Sequence, residues 1–294
     1  MTAIDIVIPC AGRAPDLMRL LTALHTQCAD SMAGLCASIT VTDDRHSTAL
    51  AAQIAASFAT VRYVAGPARG PAANRNHGAS FGQADWLLFL DDDCFPQADL
   101  LRAYADRVEG EPQAEVVEGA IHAVGDRPNG NHHAPLNTSG GVLWSCNLML
   151  HRSLFDAIGR FDEAFPYACL EDSDLARRLQ QRPARIVFAE GAVVFHPWRS
   201  VSEREISRAI ISHAIYASKH PDFVRDWGLW HLLRAMRGRV RQYRLGRFSS
   251  IPSGKYRTVL YDLMAPLIVC AVVRIVPLRR ALCERYQNRW PVGA

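Results

Sequence analysis

Three adjacent carboxylates, Asp91, Asp92 and Asp93, follow directly on Trp86 to Leu90 (WLLFL). An apolar run without alternation predicts a strand buried on both faces, so its carboxyl end meets solvent abruptly at these residues. Three anions there repel one another unless a cation sits among them, and oxygen ligands suit Mg²⁺ or Mn²⁺. A turn or helix cap would use one Asp but hardly three. A second acidic cluster, Glu171-Asp172-Ser173-Asp174, precedes Leu175 and Leu179 and so opens a helix. The helix dipole favours acidic side chains in a first turn whatever their use, so alone this cluster reads as capping. Asp43 and Asp44 close a strand-like SITVT, residues 38–42, and read either as a polar turn or as a nucleotide contact.

The flanking residues predict elements that would gather these groups. Ile4 to Pro9 is a β-branched run stopping at CAGRAP, after which Leu17, Leu20, Leu21 and Leu24 recur at helical spacing. Further strands are expected at 38–42, 61–64 and 86–90, with helices over 50–58 and 74–81. A helix near 98–108 leads to strands around 116–123 and 142–150, which flank a Gly/Asn/Pro/His-rich stretch, residues 125–141. That stretch is expected to be a mobile loop with His132 and His133 solvated. Strands alternating with helices predict an α/β fold with a mostly parallel sheet flanked by helices. Ligands gather beyond the carboxyl ends of such strands, where Gly12 and Arg13, Asp43 and Asp44, and Asp91 to Asp93 all fall.

The composition, 294 residues at 49% hydrophobic and 21% charged, excludes disordered and fibrous classes. Eight cysteines show neither CxxC pairs nor zinc-like spacing, which predicts free thiols and a reducing cytoplasm. The N-terminal MTAIDIVIPC lacks a basic region before its apolar run and is not expected to be a signal peptide. Charge is unevenly placed: residues 1–202 carry 16 Lys and Arg against 23 Asp and Glu, whereas 203–294 carry 17 against 6. A basic tail on an acidic body predicts an anionic partner for the tail.

The ordered strings IDIVIPCAGR, ITVTDD, GPAANRNHG, WLLFLDDDCFP, GRFDEAF, LEDSDLARRL and VVFHPWR, over about residues 4–200, resemble the family 2 glycosyltransferases of the GT-A fold, which is Rossmann-like. The resemblance implies that Pro9, Ala11 and Arg13 line a nucleotide site, that Asp43 reaches the base and that Arg75 lies near the diphosphate. Asp91 and Asp93 match the outer residues of the family's DxD motif, the last binding metal, with Asp91 and Asp92 also on the donor side. His196 matches a third metal ligand of some members, although a lone His at a strand end reads equally as structural. Asp172 matches the base that takes a proton from the acceptor hydroxyl, with Glu171 orienting the acceptor. The helix dipole is expected to lower the Asp172 pKa. Trp144, Ser145 and Asn147 match a segment facing sugar and acceptor, although burial is the simpler expectation for a Trp.

In the tail, Leu229, Leu232, Leu233, Met236, Val240 and Tyr243 recur at helical spacing beside a basic stripe of Arg234, Arg237, Arg241 and Arg244, within residues 227–247. The apolar run 263–273 is too short to span a bilayer and contains Pro266. Arg279, Arg280, Arg285 and Arg289 follow with Tyr286 and Trp290, so basic and aromatic segments bracket the run as in monotopic anchors. Packing of these helices on the protein is the competing expectation. Nucleic acid is not expected as a partner.

The expectations are therefore a GT-A-like catalytic domain over residues 1–202 and a helical, membrane-peripheral extension over 203–294 at the cytoplasmic face. The expected activity is inverting transfer of a sugar from a nucleotide-sugar, a UDP-sugar by preference, to a hydroxyl, with a lipid or lipid-linked glycan as candidate acceptor and Mg²⁺ or Mn²⁺ as cofactor. The alternatives are a nucleotidyltransferase, which has no evident need of Asp172, and a non-catalytic membrane-bound scaffold.

Overall fold

The structure, a computed structural model, describes residues 3–30, 35–226, 228–245 and 256–287. It divides into two compact units: Met1–Val124, Pro135–Glu163 and Glu171–Pro197 form the first, and Gly125–Ala134, Ala164–Leu170 and Trp198–Ala294 the second. The boundary expected at residue 202 thus falls after Pro197, and two loops from the N-terminal half belong with the tail.

In the first unit the order is β1 (Ile4–Cys10), α1 (Ala14–Asp30), β2 (Cys36–Asp43), α2 (Thr48–Ser57), β3 (Val61–Ala65), α3 (Pro71–Ala79), β4 (Trp86–Leu90), β5 (Phe95–Pro96), α4 (Leu100–Gly110) and β6 (Val116–Ala123). After β7 (His132–His133), which lies in the second unit, come β8 (Asn147–His151), α5 (Arg152–Ala157), α6 (Glu171–Gln180) and β9 (Ile186–His196). One sheet holds the eight strands of this unit in the order β3-β2-β1-β4-β8-β6-β9-β5. β1, β2, β3 and β4 run parallel, as do β6 and β9, while β8 is antiparallel to both β4 and β6, and β5 to β9. Every residue of β4 is buried, as the unbroken apolar run requires, because helices cover both faces of the sheet. Strand order reverses between β1 and β4, so the residues just beyond these two strands flank the natural ligand crevice.

The second unit contains β10 (Arg199–Ser200), paired with β7, and helices α7 (Glu203–Lys219), α8 (Pro221–Asp226), α9 (Leu229–Leu245), α10 (Tyr256–Arg274) and α11 (Val276–Gln287). Ser202 and Glu205 form a capping box that starts α7. Ile206, Ile210, Ala214 and Ile215 of α7 pack with Ala265, Val269, Val272 and Val273 of α10 and Cys283 of α11. The apolar run 263–273 is accordingly largely core rather than an exposed anchor, since a helix buries its apolar side where a partner is available. Among the described residues no single helix is long and apolar enough to cross a membrane. Trp227, Arg247, Arg289, Trp290 and the side chains of Leu229, Tyr243, Arg244, Arg285 and Tyr286 lie outside the described residues.

The 125–141 stretch differs from the expected mobile loop. Asn129 and Asn131 are buried within the second unit and Asn137 within the first. His132 and His133 are half-buried in β7 instead of solvated. Burial and the adjacent charges of Arg239 and Arg127 push the His133 pKa down to about 4.

Candidate active site

At the reversal between β1 and β4, Gly12 adopts a left-handed φ of 99°, and Arg13 then donates from Nε to Asp92 Oδ1 at 2.7 Å. Its Nε is also 3.8 Å from Asp93 Oδ2. Asp92 is fully buried, and burial outweighs Arg13 in pushing its pKa up to about 6. The same surroundings raise the Arg13 pKa, because the carboxylates of Asp92 and Asp93 outweigh its own desolvation.

Arg75, on α3, is buried and joins the two acidic clusters. Its Nη2 donates to Asp91 Oδ1 at 2.8 Å and its Nη1 to Glu171 Oε1 at 3.1 Å, with the guanidinium 5.4 Å from the Phe161 ring centroid. Asp172 follows in the first turn of α6 and accepts from the Ser145 backbone N–H through Oδ2 at 3.2 Å. Asp172 Oδ1 and Asp92 Oδ2 are buried with no hydrogen-bond partner among the described residues. Such atoms are costly in a fold unless a ligand or reaction uses them. Burial pushes Glu171 up to about 8 and raises Asp172 as well, the neighbouring carboxylates adding to the effect. The expected lowering of Asp172 by the helix dipole is thus corrected: desolvation exceeds it, and a raised value makes a better proton acceptor.

Asp91, Asp93 and His196 can each aim one ligand atom into a common space, all these atoms lying within 4.8 Å of one another. His196, the last residue of β9, has Nδ1 2.9 Å from the Pro197 carbonyl, which makes Nδ1 the protonated nitrogen and turns Nε2 towards Asp93 Oδ1 at 3.2 Å. Desolvation acts to lower the His196 pKa, but Asp93 and Asp91 outweigh it and the net shift is upward. Two carboxylates and one imidazole fit a divalent ion.

The model of glycosyl transferase family 2 matches residues 5–165, more than half of the chain. The chain belongs to that family. Its architecture is that of GT-A glycosyltransferases: S. aureus TarS residues 1–349 in complex with UDP-GlcNAc aligns with TM-score 0.58 at 15% identity, covering 98% of this chain and 88% of that one. The mannosyltransferase PcManGT from Pyrobaculum calidifontis, in complex with GDP-Man and Mn²⁺, aligns with TM-score 0.51 at 13% identity, covering 99% of this chain and 76% of the other. No curated protein matches the chain.

The remaining expected residues of this glycosyltransferase fall into two groups. Ala11 and Arg13 are exposed, but Pro9 is buried in β1 opposite Thr42. Asp43 is fully buried and spends both oxygens on its own turn, accepting from the Arg45 and Ser47 backbone N–H groups and from the Tyr63 hydroxyl, each at 2.9 Å. Being fully buried, Asp43 presents no surface to a base in this arrangement. Asp44 similarly accepts from the backbone N–H groups of Ala68 and Gly70, and burial raises its pKa. Trp144 is 38% exposed rather than buried, while Ser145 and Asn147 beside it are buried.

Two residues within the matched segments shape the site through bonds that the sequence did not assign. Asn76, on α3 beside Arg75, donates to the Phe161 carbonyl and accepts from the Phe161 N–H, which pins the ring under the guanidinium. Asn147 accepts from the Tyr104 hydroxyl and donates to the carbonyls of Ala120 and Ala192, locking β8 to its neighbours. For Asn147 the sequence signal is a single polar residue at the head of an apolar strand, which must find partners once buried.

Proposed function

We propose that this glycosyltransferase moves a sugar, with inversion, from a nucleotide-sugar, preferably a UDP-sugar, to an acceptor hydroxyl, using a divalent cation at Asp91, Asp93 and His196. The observation that carries the reading is the carboxylate of half-buried Asp172, held through one oxygen by Ser145 and enclosed but unpartnered at the other. A direct displacement at the anomeric carbon needs one such acceptor for the hydroxyl proton, and Asp172 Oδ1 takes it as the new glycosidic bond forms. Glu171 orients the acceptor, and Arg75 holds both acidic clusters in register while adding positive charge beside the diphosphate. Arg13, with donors beyond those given to Asp92, faces the donor from the other side of the crevice. The cation, when bound, supplies positive charge to the departing diphosphate. The UDP-GlcNAc complex of one structural neighbour and the GDP-Man and Mn²⁺ complex of the other support this choice of ligands. Screening nucleotide-sugars for slow hydrolysis, with Mn²⁺ and with chelator, tests the reading, and hydrolysis of none of them overturns it.

The acceptor is a lipid or lipid-linked glycan met at an anionic, cytoplasmic membrane face. Support comes from α9, where Trp230, Leu233 and Val240 are exposed and recur at helical spacing with exposed Arg234, Arg237 and Arg241. Trp230 is 84% exposed. Leu260 and Met264 of α10, and Ile275, Val276 and Leu278 around the start of α11, add exposed apolar side chains beside exposed Arg274 and Arg280.

A further inference from the structure

We propose that Glu118 is a positioning residue for the acceptor half of the site, its carboxylate holding the backbone of residues 141–143 so that Ser145 meets Asp172 and Trp144 stays partly exposed. Glu118 lies in the middle of β6, opposite Leu148 of β8 and Phe188 of β9, where an apolar residue is the ordinary choice. It is buried nonetheless. Its oxygens accept from the backbone N–H groups of Gly141 at 2.8 Å, Val142 at 3.0 Å and Leu143 at 2.8 Å, and from Asn137 Nδ2 at 3.2 Å. Consecutive amides converge on one anion only when the backbone turns back on itself, and here Gly140, Gly141 and Leu143 have φ of 77°, 96° and 54°. Leu143 has no glycine's freedom, so its left-handed conformation persists only because the surroundings impose it.

The chain then delivers two groups in succession. Trp144 is the next residue and is partly exposed, and the N–H of Ser145 donates to Asp172 Oδ2. A fastening of this loop for stability alone would be served by apolar packing, whereas a buried carboxylate is costly and sets direction through its hydrogen bonds. Glu118 touches no reacting atom in this arrangement. It acts through Leu143, Trp144 and Ser145 on the base and on the surface beside it. The inference rests on the reading of Asp172 as the base.

Glu118→Gln keeps the shape but replaces one acceptor oxygen with an NH₂ that faces donors, and Glu118→Asp keeps the charge on a shorter arm. Three measurements on the full chain decide the matter: hydrogen exchange over residues 141–145, calorimetric UDP affinity with Mn²⁺, and turnover of the nucleotide-sugar that the wild type hydrolyses. For Glu118→Gln the amides of Gly141, Val142, Leu143 and Ser145 should exchange about 100-fold faster or more. Turnover should fall about 10-fold or more while the UDP Kd stays within about 3-fold. Glu118→Asp should lie between the two, and it carries the test alone if the Gln variant does not fold. Unchanged Ser145 exchange, or faster exchange with wild-type turnover, overturns the proposal, as does a loss of UDP affinity that matches the loss of turnover. If the wild type hydrolyses no nucleotide-sugar, the functional reading fails separately, and Ser145 exchange alone then decides whether Glu118 sets that amide.

Discussion

Arg75 Nη1 lies 3.1 Å from Glu171 Oε1, and each of these side chains is only 4% exposed. A residue near position 75 is thereby tied to one nearly a hundred positions later, and the guanidinium's second contact, to Asp91, brings the two acidic clusters of the chain to one place.

Removing Arg75 should therefore do more than weaken donor binding. Arg75→Met leaves Asp91 without its counter-charge and Glu171 without its hydrogen-bond donor, and breaking such a buried arrangement costs about 3–5 kcal/mol. Urea denaturation of the two proteins gives the difference. Arg75→Lys should recover part of the loss, because it restores charge without the two-pronged geometry. A Met variant as stable as the wild type would show that the guanidinium contributes nothing net.

The proton-accepting role of Asp172 predicts a specific kinetic pattern. Asp172→Asn should lower turnover on the order of 10²-fold or more and leave donor affinity nearly unchanged. Turnover near the wild-type level would move the role to Glu171.

The cluster of Asp91, Asp93 and His196 predicts that Mn²⁺ tightens UDP binding and that chelator abolishes the gain. Asp93→Ala and His196→Ala should each weaken that gain about 10-fold or more, as loss of a direct ligand does at least as much as loss of an outer-shell partner. Calorimetry with and without Mn²⁺ measures it, and equal UDP affinity under all conditions removes the metal from the mechanism.

Stability without metal should fall as pH rises. Glu171, pushed from 4.5 to about 8, and Asp92, pushed from 3.8 to about 6, hold protons in the fold that the unfolded chain has released. Their stabilisation is full below the ordinary carboxylate range and is lost as pH climbs through about 6 for Asp92 and about 8 for Glu171. His196, also raised, has the same sign. The melting temperature should thus decline from pH 5 to pH 9, and Glu171→Gln should flatten the part above pH 7. An equal slope in both proteins would exclude Glu171 as its source.

On the membrane, the exposed stripe of α9 makes the prediction local. The protein should float with anionic vesicles and poorly with neutral ones, each Arg near the surface contributing about 1 kcal/mol. Neutralising Arg234, Arg237 and Arg241 together, or Trp230→Ser, should reduce flotation without changing the circular dichroism spectrum. Failure to float with either lipid type would make a soluble acceptor the better reading.

Local pattern sufficed for much of this protein. The span Trp86–Leu90 needed only its unbroken apolar run, and the start of α6 needed only acidic residues before Leu175 and Leu179. The ordered motifs also point to Arg13, Arg75, Asp91, Asp93, Asp172 and His196 as candidate site residues. What pattern could not decide depended on distant partners. Residues 142–146 read as strand, yet β8 begins only at Asn147, because the amides of Val142 and Leu143 are taken by Glu118, 24 and 25 positions away. The run 263–273 read as an anchor, yet its burial followed from α7 lying against α10. The Asp172 pKa read as lowered by its helix, yet desolvation raised it. Periodicity and capping are written in neighbouring residues, whereas burial, strand pairing and desolvation belong to groups brought together from far along the chain, and only the tertiary structure supplies those.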